Sequence, residues 1–283
     1  MKILAIGDFH GKFPEKLIGK IKSENPDLIL CVGDFPSSEK IRKVIFKHWT
    51  NKAWYDVVGL KEAKKLEKES FVSGLKILKK LNSLRIKTFI VWGNSDFYKE
   101  ISTSKPKSII PGNYDKKLKT MKNITLIHNR KRQVGDLEFV GHGGYVDITE
   151  YIKNPIDKDK KKQEKRLKRY KKTEKKLYNM LEKLNLGKNF VFLTHYTPYK
   201  IFDKVKFRKS PMFGKNAGWE PYNKVIKKYK PKLVICGHMH EYQGKRKLGN
   251  FLIINPGPAF EGKAAVIELD EKTKKIQKIK FVR

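Results

Sequence analysis

Short runs of apolar residues recur along the chain, and most of them end at a glycine. Runs of four or five residues are too short for ordinary helices and predict buried strands. They lie at residues 3–6, 28–32, 89–92, 190–193, 233–236 and 251–254. Between the early runs, residues 14–23 and 60–84 carry apolar positions at helical spacing. This alternation of strands and helices predicts an α/β fold.

Helical patterns separate the predicted strands less regularly from residue 137 onwards. At the end of the chain, residues 264–269 and 276–282 predict a hairpin around Asp270, Glu271 and Lys272. A second, mixed sheet is therefore expected in the C-terminal half.

Residues 151–186 differ from the rest of the chain and predict a basic helical insertion. Between Lys158 and Lys176 there are 12 Lys or Arg against 3 Asp or Glu, with very few apolar residues. One narrow apolar seam runs along this helix at spacings of three, seven, four and three residues. Its members are Leu167, Tyr170, Leu177, Leu181 and Leu184. The seam indicates a helix that lies on its own domain, a cap that grips the substrate, or a dimer contact.

The 283 residues are enough for one substantial core, although the hydrophobic content of 39% is low. The chemical motifs described below span almost the whole chain. We therefore expect one domain over residues 1–283, with the basic insertion inside it. The sequence does not indicate an oligomeric state.

The chain is strongly basic, with 65 Lys and Arg against 29 Asp and Glu and a formal charge of +36. Such a charge attracts polyanions. It indicates either a protein that binds nucleic acids or a compositional bias towards lysine that has no role in binding. The basic stretch at 158–176 carries +9, so +27 is spread over the other residues. The spread favours the compositional bias, and no known nucleic-acid-binding module is visible.

The sequence predicts a protein of the cytoplasm. The apolar run after Met1 is too short for a signal peptide, and no segment approaches the length that spans a membrane. The two cysteines, Cys31 and Cys236, lie inside apolar runs. This predicts buried free thiols and a reducing compartment rather than a disulfide.

Residues that can bind metals follow the predicted strands. Asp8 and His10 come after the first run, where a carboxylate and an imidazole two residues apart can turn to the same cation. Asp34 follows the second run, and its two oxygens can bridge two cations about 3.5–4 Å apart. After the third run, Asn94 offers a neutral amide oxygen and Asp96 can orient a neighbouring group.

Three histidines complete this pattern further along the chain. His195 ends the strand predicted at 190–193, and His238 and His240 follow the strand at 233–236. Together with His10, four of the seven histidines of the chain thus lie in loops directly after predicted strands. Loops at strand ends can gather such ligands around one point.

At these residues the sequence resembles the calcineurin-like metallophosphoesterase superfamily. The family motifs run in the order Asp-x-His, Gly-Asp, Gly-Asn-His followed by an acid, a single His, and Gly-His-x-His. The resemblance covers residues 1 to about 98 and about 187 to 257, and residues 100–186 show no family motif. It implies a four-layer sandwich of two mixed β-sheets flanked by helices, with metals at the carboxyl ends of the strands.

The resemblance also implies a ligand set for two divalent metal ions. Asp34 would bridge the two ions, and three other residues would bind each of them. These are Asp8, His10 and His240 for one ion, and Asn94, His195 and His238 for the other. Relatives that act as non-catalytic scaffolds have lost such ligands, so the complete set favours catalysis.

The function implied is hydrolysis of a phosphate ester, with a phosphodiester favoured, by a hydroxide that bridges the two metals. The mixture of imidazole, carboxylate and amide oxygen suits Mn, Fe, Zn, Co or Ni, and we favour Mn. The alternative is a nuclease or nucleic-acid-binding protein of the same superfamily. A non-catalytic scaffold is a third interpretation.

Ser95 departs from the family pattern, because the family has a histidine between Asn94 and Asp96. A serine hydroxyl can donate a hydrogen bond but cannot deliver a proton as an imidazolium can. His142 lies among glycines at the end of another apolar run and is the candidate for the missing acid, or else a structural histidine. The predicted catalytic residues are therefore Asp34, Asn94, Ser95, Asp96 and His142.

Overall fold

The structure is a computed structural model, and it describes residues 1–48, 52–99, 105–155, 159–187 and 189–283. These residues contain twelve strands. They are β1 (Lys2–Ile6), β2 (Leu28–Cys31), β3 (Thr88–Ile90), β4 (Ile124–Leu126), β5 (Arg130–Val134), β6 (Leu137–His142), β7 (Phe190–Thr194), β8 (Leu233–Ile235), β9 (Gly244–Leu248), β10 (Phe251–Asn255), β11 (Ala264–Leu269) and β12 (Ile276–Val282).

The same residues contain eight α-helices and two short 3₁₀ helices. The α-helices are α1 (Glu15–Glu24), α2 (Glu39–Lys47), α3 (Trp54–Val58), α4 (Leu60–Ser83), α5 (Asp115–Leu118), α6 (Thr149–Lys153), α7 (Lys160–Lys183) and α8 (Glu220–Tyr229). The 3₁₀ helices are Lys107–Ile109 and Ala259–Glu261.

The strands form two mixed sheets of six strands each. The first has the order β12-β11-β1-β2-β3-β4, in which β1 to β4 are parallel and β11 and β12 form an antiparallel hairpin. The second has the order β5-β6-β7-β8-β10-β9, in which β6, β7, β8 and β10 are parallel. The edge strands are therefore β12 and β4 in the first sheet and β5 and β9 in the second.

Three apolar clusters hold four layers together. Side chains on the inner faces of both sheets, such as Leu30, Phe139 and Ile235, form the central cluster. A second cluster lies between the first sheet and helices α1 and α4, and a third lies between the second sheet and helices α7 and α8. This is the predicted α/β sandwich of two mixed sheets flanked by helices.

The six predicted strands and the C-terminal hairpin are present, with ends that shift by one or two residues at most. Helices α1 and α4 also match their predictions at 14–23 and 60–84. The predicted thiols are confirmed, because Cys31 and Cys236 are both free and buried. No helix in the described ranges is long and apolar enough to cross a membrane.

The basic segment at 151–186 contains helix α7, which packs on the second sheet through its C-terminal half. Leu177 and Leu181 are fully buried there, and the Tyr170 ring lies against Trp219 with ring centroids 6.1 Å apart. Leu167, at the start of the seam, is 38% exposed. Most of the predicted seam thus contacts its own fold, which is the arrangement expected of a helix that lies on its own domain.

Candidate metal centre

The predicted ligands follow five parallel strands. Within the first sheet β1, β2 and β3 are neighbours, and within the second sheet β7 and β8 are neighbours. The loops after these strands meet where the two sheets face each other. Two contacts show this meeting: the His238 backbone N–H donates to the Asp8 carboxylate at 3.0 Å, and the His195 ring donates to the Val32 carbonyl at 2.7 Å.

Four of the ligands form one cluster. Single ligand atoms of Asp8, His10, Asp34 and His240 all lie within 4.8 Å of one another. The Nε2 atoms of His10 and His240 are 2.9 Å apart, and His240 Nε2 lies 3.7 Å from Asp8 Oδ1. Nitrogen and oxygen atoms that converge in this way are suited to share one cation.

The remaining ligands lie beside this cluster. His195 Nε2 is 2.8 Å from Asn94 Oδ1, and the rings of His195 and His238 are 5.2 Å apart. Because His195 Nδ1 donates to the Val32 carbonyl, a metal can be bound only through Nε2, which faces Asn94. The backbone thus fixes the ring in the form that binds a metal.

Asp34 lies between the two groups. Its Oδ2 atom is 3.6 Å from His10 Nε2 and also 3.6 Å from His195 Nε2. Its Oδ1 atom accepts the backbone N–H of Ser95 at 2.9 Å, which holds the carboxylate in this orientation. One carboxylate therefore faces imidazole nitrogens of both groups.

The backbone of the ligand loops is unusual. Asp8, His10, Asp34 and His238 have φ values of 53°, 43°, 58° and 67°, in the left-handed region that non-glycine residues rarely adopt. Such conformations persist only where surrounding structure enforces them, and they concentrate at functional sites. Four of them among seven candidate ligands indicate that the loops are shaped for ligand geometry.

Two glycines allow the loops to approach one another. A Cβ atom on Gly93 would lie 2.0 Å from Asp34 Oδ1, and one on Gly237 would lie 2.7 Å from Asp8 Oδ2. Any side chain at these positions would displace a candidate ligand. The glycines of the sequence motifs are therefore explained by close packing against the carboxylates.

Burial and neighbouring charges set the pKa values of the two carboxylates. Burial alone raises the pKa of Asp34, but the charges of His195 and His10 outweigh it and lower the pKa below its ordinary value. For Asp8, burial is likewise outweighed by the hydrogen bond and charge of His240, so its pKa is also lowered. Both groups are therefore ionised at neutral pH, as metal ligands must be.

The pKa values of the histidines shift in two directions. Burial lowers the pKa of His10 to about 4 and the pKa of His238 to about 3, so both rings are neutral at pH 7. Burial also lowers the pKa of His240, but the hydrogen bond and charge of Asp8 outweigh it and the net shift is upward. Buried ionised carboxylates beside neutral imidazoles form a donor set that fits divalent cations of borderline softness.

Metal binding should therefore compete with a proton on His240. Since its pKa is raised in the metal-free protein, the affinity for Mn²⁺ should fall at least about tenfold for each pH unit below that pKa. His10 and His238 should add to the slope only near their own, much lower pKa values. Calorimetric titration with Mn²⁺ at several pH values, in two buffers of different ionisation enthalpy, measures both the slope and the released proton. An affinity that is constant from about pH 5 to 7 would contradict this assignment.

Ser95 and Asp96 lie at the edge of the centre. The Ser95 hydroxyl is buried near the Asp34 carboxylate, where it helps to lower the pKa of Asp34, although it makes no hydrogen bond of good geometry with the described residues. Asp96 accepts the backbone N–H groups of Asp34, Phe35 and Gly93 at 2.9, 2.9 and 2.6 Å. Asp96 thus connects the loop after β2 to the loop after β3. Burial and the charge of Asp34 raise the pKa of Asp96 well above its ordinary value.

His142 lies in a different environment from the other candidates. Its Nδ1 atom is 2.7 Å from the Tyr222 hydroxyl, and its ring stacks on Trp219 at 5.6 Å. Burial lowers its pKa to about 3, so the ring is neutral at pH 7. These contacts are those of a structural histidine in the core beneath helices α7 and α8. They give no support to the proton-donor role, which stays a prediction.

Two aromatic residues of the centre were not singled out by the sequence. The Tyr196 ring packs on His238 with centroids 4.0 Å apart, and Phe260 contacts the rings of His10 and His240 at 5.8 and 5.4 Å. The sequence could have indicated Tyr196, because it directly follows the candidate ligand His195. No sequence pattern could have indicated Phe260, because it is distant in sequence from the histidines that it contacts.

The similarities to known proteins are consistent with a metal centre at this site. The sequence profile described as "Metallophosphoesterase, calcineurin superfamily" matches residues 1–279, including the segment without recognisable motifs. An uncharacterized protein of Methanocaldococcus jannaschii is 24% identical over 284 residues, which is 96% of this chain and 96% of that protein.

Solved structures show the same fold. One crystal structure is 24% identical and matches with a TM-score of 0.66, covering 99% of this chain and 98% of its own. Phosphopantetheinyl hydrolase (PptH) from Mycobacterium tuberculosis is 14% identical and matches with a TM-score of 0.51, covering 92% of this chain and 90% of its own. With a family profile that matches residues 1–279 and an Asp/His cluster at the expected strand ends, the chain belongs to the calcineurin superfamily of metallophosphoesterases.

Proposed function

We propose that the protein is a dinuclear metal-dependent phosphoesterase. The observation that carries the proposal is the position of Asp34, whose Oδ2 atom is 3.6 Å from the Nε2 atoms of both His10 and His195. A carboxylate in this position can be shared by two cations about 3.5–4 Å apart.

Each proposed metal position has its own ligands. Asp8, His10 and His240 would hold one cation, and Asn94, His195 and His238 would hold the other. When bound, two divalent cations neutralise phosphate charge and lower the pKa of a water from about 15.7 towards about 7. The mixed nitrogen and oxygen donors suit Mn, Fe, Zn, Co or Ni, of which we propose Mn.

The other residues of the centre position these ligands. Asp96 joins the loops that carry Asp34 and Asn94, and the Val32 carbonyl fixes the His195 ring. The packed rings of Tyr196 and Phe260 keep their histidines from turning. The Ser95 hydroxyl lies close enough to Asp34 to help lower the pKa of that carboxyl, and it can turn to donate a hydrogen bond to a phosphate oxygen.

A phosphodiester is the substrate class that we propose. The formal charge of +36 attracts phosphate esters of every kind, and nucleic acids are the phosphodiesters among them that carry many charges. A nuclease is therefore the second candidate, and it differs from a small-molecule esterase in substrate rather than in chemistry. The complete ligand set argues against a non-catalytic scaffold.

The test is a hydrolysis assay on the metal-free and metal-loaded protein. With Mn²⁺, the protein should hydrolyse bis(p-nitrophenyl) phosphate, and a chelator should abolish the activity because the cations supply the charge neutralisation. Re-addition of Mn²⁺ after chelation should restore turnover. Parallel assays with monoesters and oligonucleotides identify the substrate class. Turnover that survives chelation would refute the proposed function.

A further inference from the structure

The loop after strand β6, residues 143–148, lies beside the metal centre. Strand β6 is parallel to β7 and pairs with all of it, so the residue after β6 lies beside His195. The loop also packs on Trp92, two residues before Asn94, because the Gly144 N–H donates to the Trp92 carbonyl. This loop therefore runs between the loops that carry the candidate ligands Asn94 and His195.

Tyr145 is the exposed aromatic residue of this loop. It is 42% exposed, although its backbone N–H is held by the Tyr98 hydroxyl at 3.0 Å. Burial raises the pKa of the Tyr196 hydroxyl well above its ordinary value, and the neighbouring Tyr145 and Asp34 raise it further. Since the Tyr196 ring packs on His238, the exposed ring of Tyr145 borders the proposed metal position to which His238 belongs.

The basic helix α7 holds the far end of the Tyr145 ring. The Tyr145 hydroxyl donates to Asp147 Oδ1 at 3.3 Å, and Arg169 of the helix donates two hydrogen bonds to the same buried carboxylate. The Arg169 guanidinium also lies 5.7 Å from the centroid of the Tyr145 ring. Burial and the Asp147 charge raise the pKa of Tyr145 to about 12, so its hydroxyl stays protonated and keeps this contact at neutral pH.

A ring that is fixed at both ends and open to solvent beside a phosphate position suits an aromatic ester group. Aromatic rings that stack with an offset attract each other beyond the effect of the area that they bury. Ser95 favours the same class of substrate, because a site without a strong acid acts best on an acidic leaving group such as a phenol.

From these contacts we infer that Tyr145 is a specificity-determining residue, whose open face stacks on an aromatic group carried by the substrate phosphate. Asp147 and Arg169 are its positioning residues. The inference rests on the proposed function and names the class of ester, an aryl rather than an alkyl phosphate ester. It also connects helix α7 to the site through one arginine rather than through the overall charge of the helix.

Phosphonates test this subsite without turnover, because their P–C bond is not hydrolysed. Phenylphosphonate and cyclohexylphosphonate have the same charge and similar size, but only the first has an aromatic face. Each is titrated by calorimetry into the Mn²⁺-loaded protein. The wild-type protein should bind phenylphosphonate about 2–10-fold more tightly, which is the contribution expected of one aromatic pair.

Substitutions of Tyr145 test whether its ring causes this preference. Tyr145→Leu should give equal affinities for the two phosphonates, whereas Tyr145→Trp should keep the preference because the aromatic face remains. Phe213→Leu is the matched control, since Phe213 is 52% exposed and lies in another loop, between β7 and α8. It should bind both phosphonates as the wild-type protein does.

The positioning role has its own pair of variants. Arg169→Gln should reduce the preference for phenylphosphonate, because the carboxylate that holds the Tyr145 hydroxyl loses its two hydrogen bonds. Arg169→Lys, which keeps the charge, should restore part of it. Arg166→Gln makes the same change one turn earlier in helix α7, where the guanidinium lies 4.7 Å from the Tyr151 ring, and should leave the preference unchanged.

Equal wild-type affinity for the two phosphonates, or no binding of either, would overturn the inference. A preference that survives in Tyr145→Leu, or that disappears equally in Phe213→Leu, would also overturn it. The proposed function can fail separately from this inference. A preference for phenylphosphonate without any hydrolysis would refute only the proposed function, and hydrolysis without the preference would refute only the role of Tyr145.

Discussion

Asp34→Asn should abolish phosphodiester hydrolysis while leaving the protein folded. The change keeps the size of the side chain but removes the charge that lies 3.6 Å from both His10 and His195. The amide oxygen is neutral, so it is a weaker ligand for two cations than the charged Oδ2 atom that faces both ligand groups. Loss of partners outside the ligand shell already costs about 10–100-fold, so loss of the shared ligand should cost more than about 100-fold.

The matched control is Asp96→Asn, the same change at a buried carboxylate a few residues from another ligand. Asp96 contacts backbone N–H groups rather than a candidate metal position. We expect Asp96→Asn to keep two bound metals with an activity reduced by about 10–100-fold, because the ligand loops lose part of their support. Metal content by mass spectrometry and circular dichroism separate these outcomes from unfolding. Near wild-type activity in Asp34→Asn would refute the bridging assignment.

The sequence predicted the inner strands correctly because they are buried on both faces. Strands β1, β2 and β7 are nearly continuous apolar runs, which is typical of parallel strands covered on each side. Edge strands lack this signal. Strand β5 reads Arg-Lys-Arg-Gln-Val and strand β9 reads Gly-Lys-Arg-Lys-Leu, so charge obscures their pairing.

The candidate ligands could be recognised before the fold was known because their positions depend on topology. Parallel strands place their carboxyl ends at the same edge, so residues after β1, β2 and β3 must be close. The finer geometry depends on backbone conformations that the sequence only hints at, such as φ of 58° at Asp34. Contacts between distant segments, such as Phe260 with His10, leave no local pattern.

His142 shows where sequence reasoning stops. A histidine between glycines at a strand end looks the same whether its side chain turns to a metal site or to the core. In the structure it stacks on Trp219 and faces the Tyr222 hydroxyl, and both partners come from the region of helix α8. Only the packing of that helix reveals the environment of the ring.

Ser95 leads to the second large effect, a strong dependence of the reaction on the leaving group. The Ser95 hydroxyl can donate a hydrogen bond but cannot act as an acid near neutral pH. A general acid typically contributes about 10²–10⁴-fold, and it helps most when the leaving group is a poorly acidic alkoxide. Wild-type rates should therefore fall steeply from nitrophenyl to alkyl esters.

Ser95→His should raise the turnover of alkyl phosphodiesters more than that of nitrophenyl esters. Both oxygens of Asp96 are occupied by backbone N–H groups, so they are not free to orient the new imidazole. We therefore expect the rate of alkyl ester hydrolysis to rise by about 10²-fold, the lower end of the range for a general acid. Ser95→Asn is the matched control, because it adds a hydrogen-bonding side chain without an acid. Each variant is compared at equal metal content. Two outcomes would show that another residue supplies the proton and that the interpretation of Ser95 is wrong. One is a wild-type rate that does not depend on the leaving-group pKa. The other is a basic limb of the pH profile that disappears in His142→Ala.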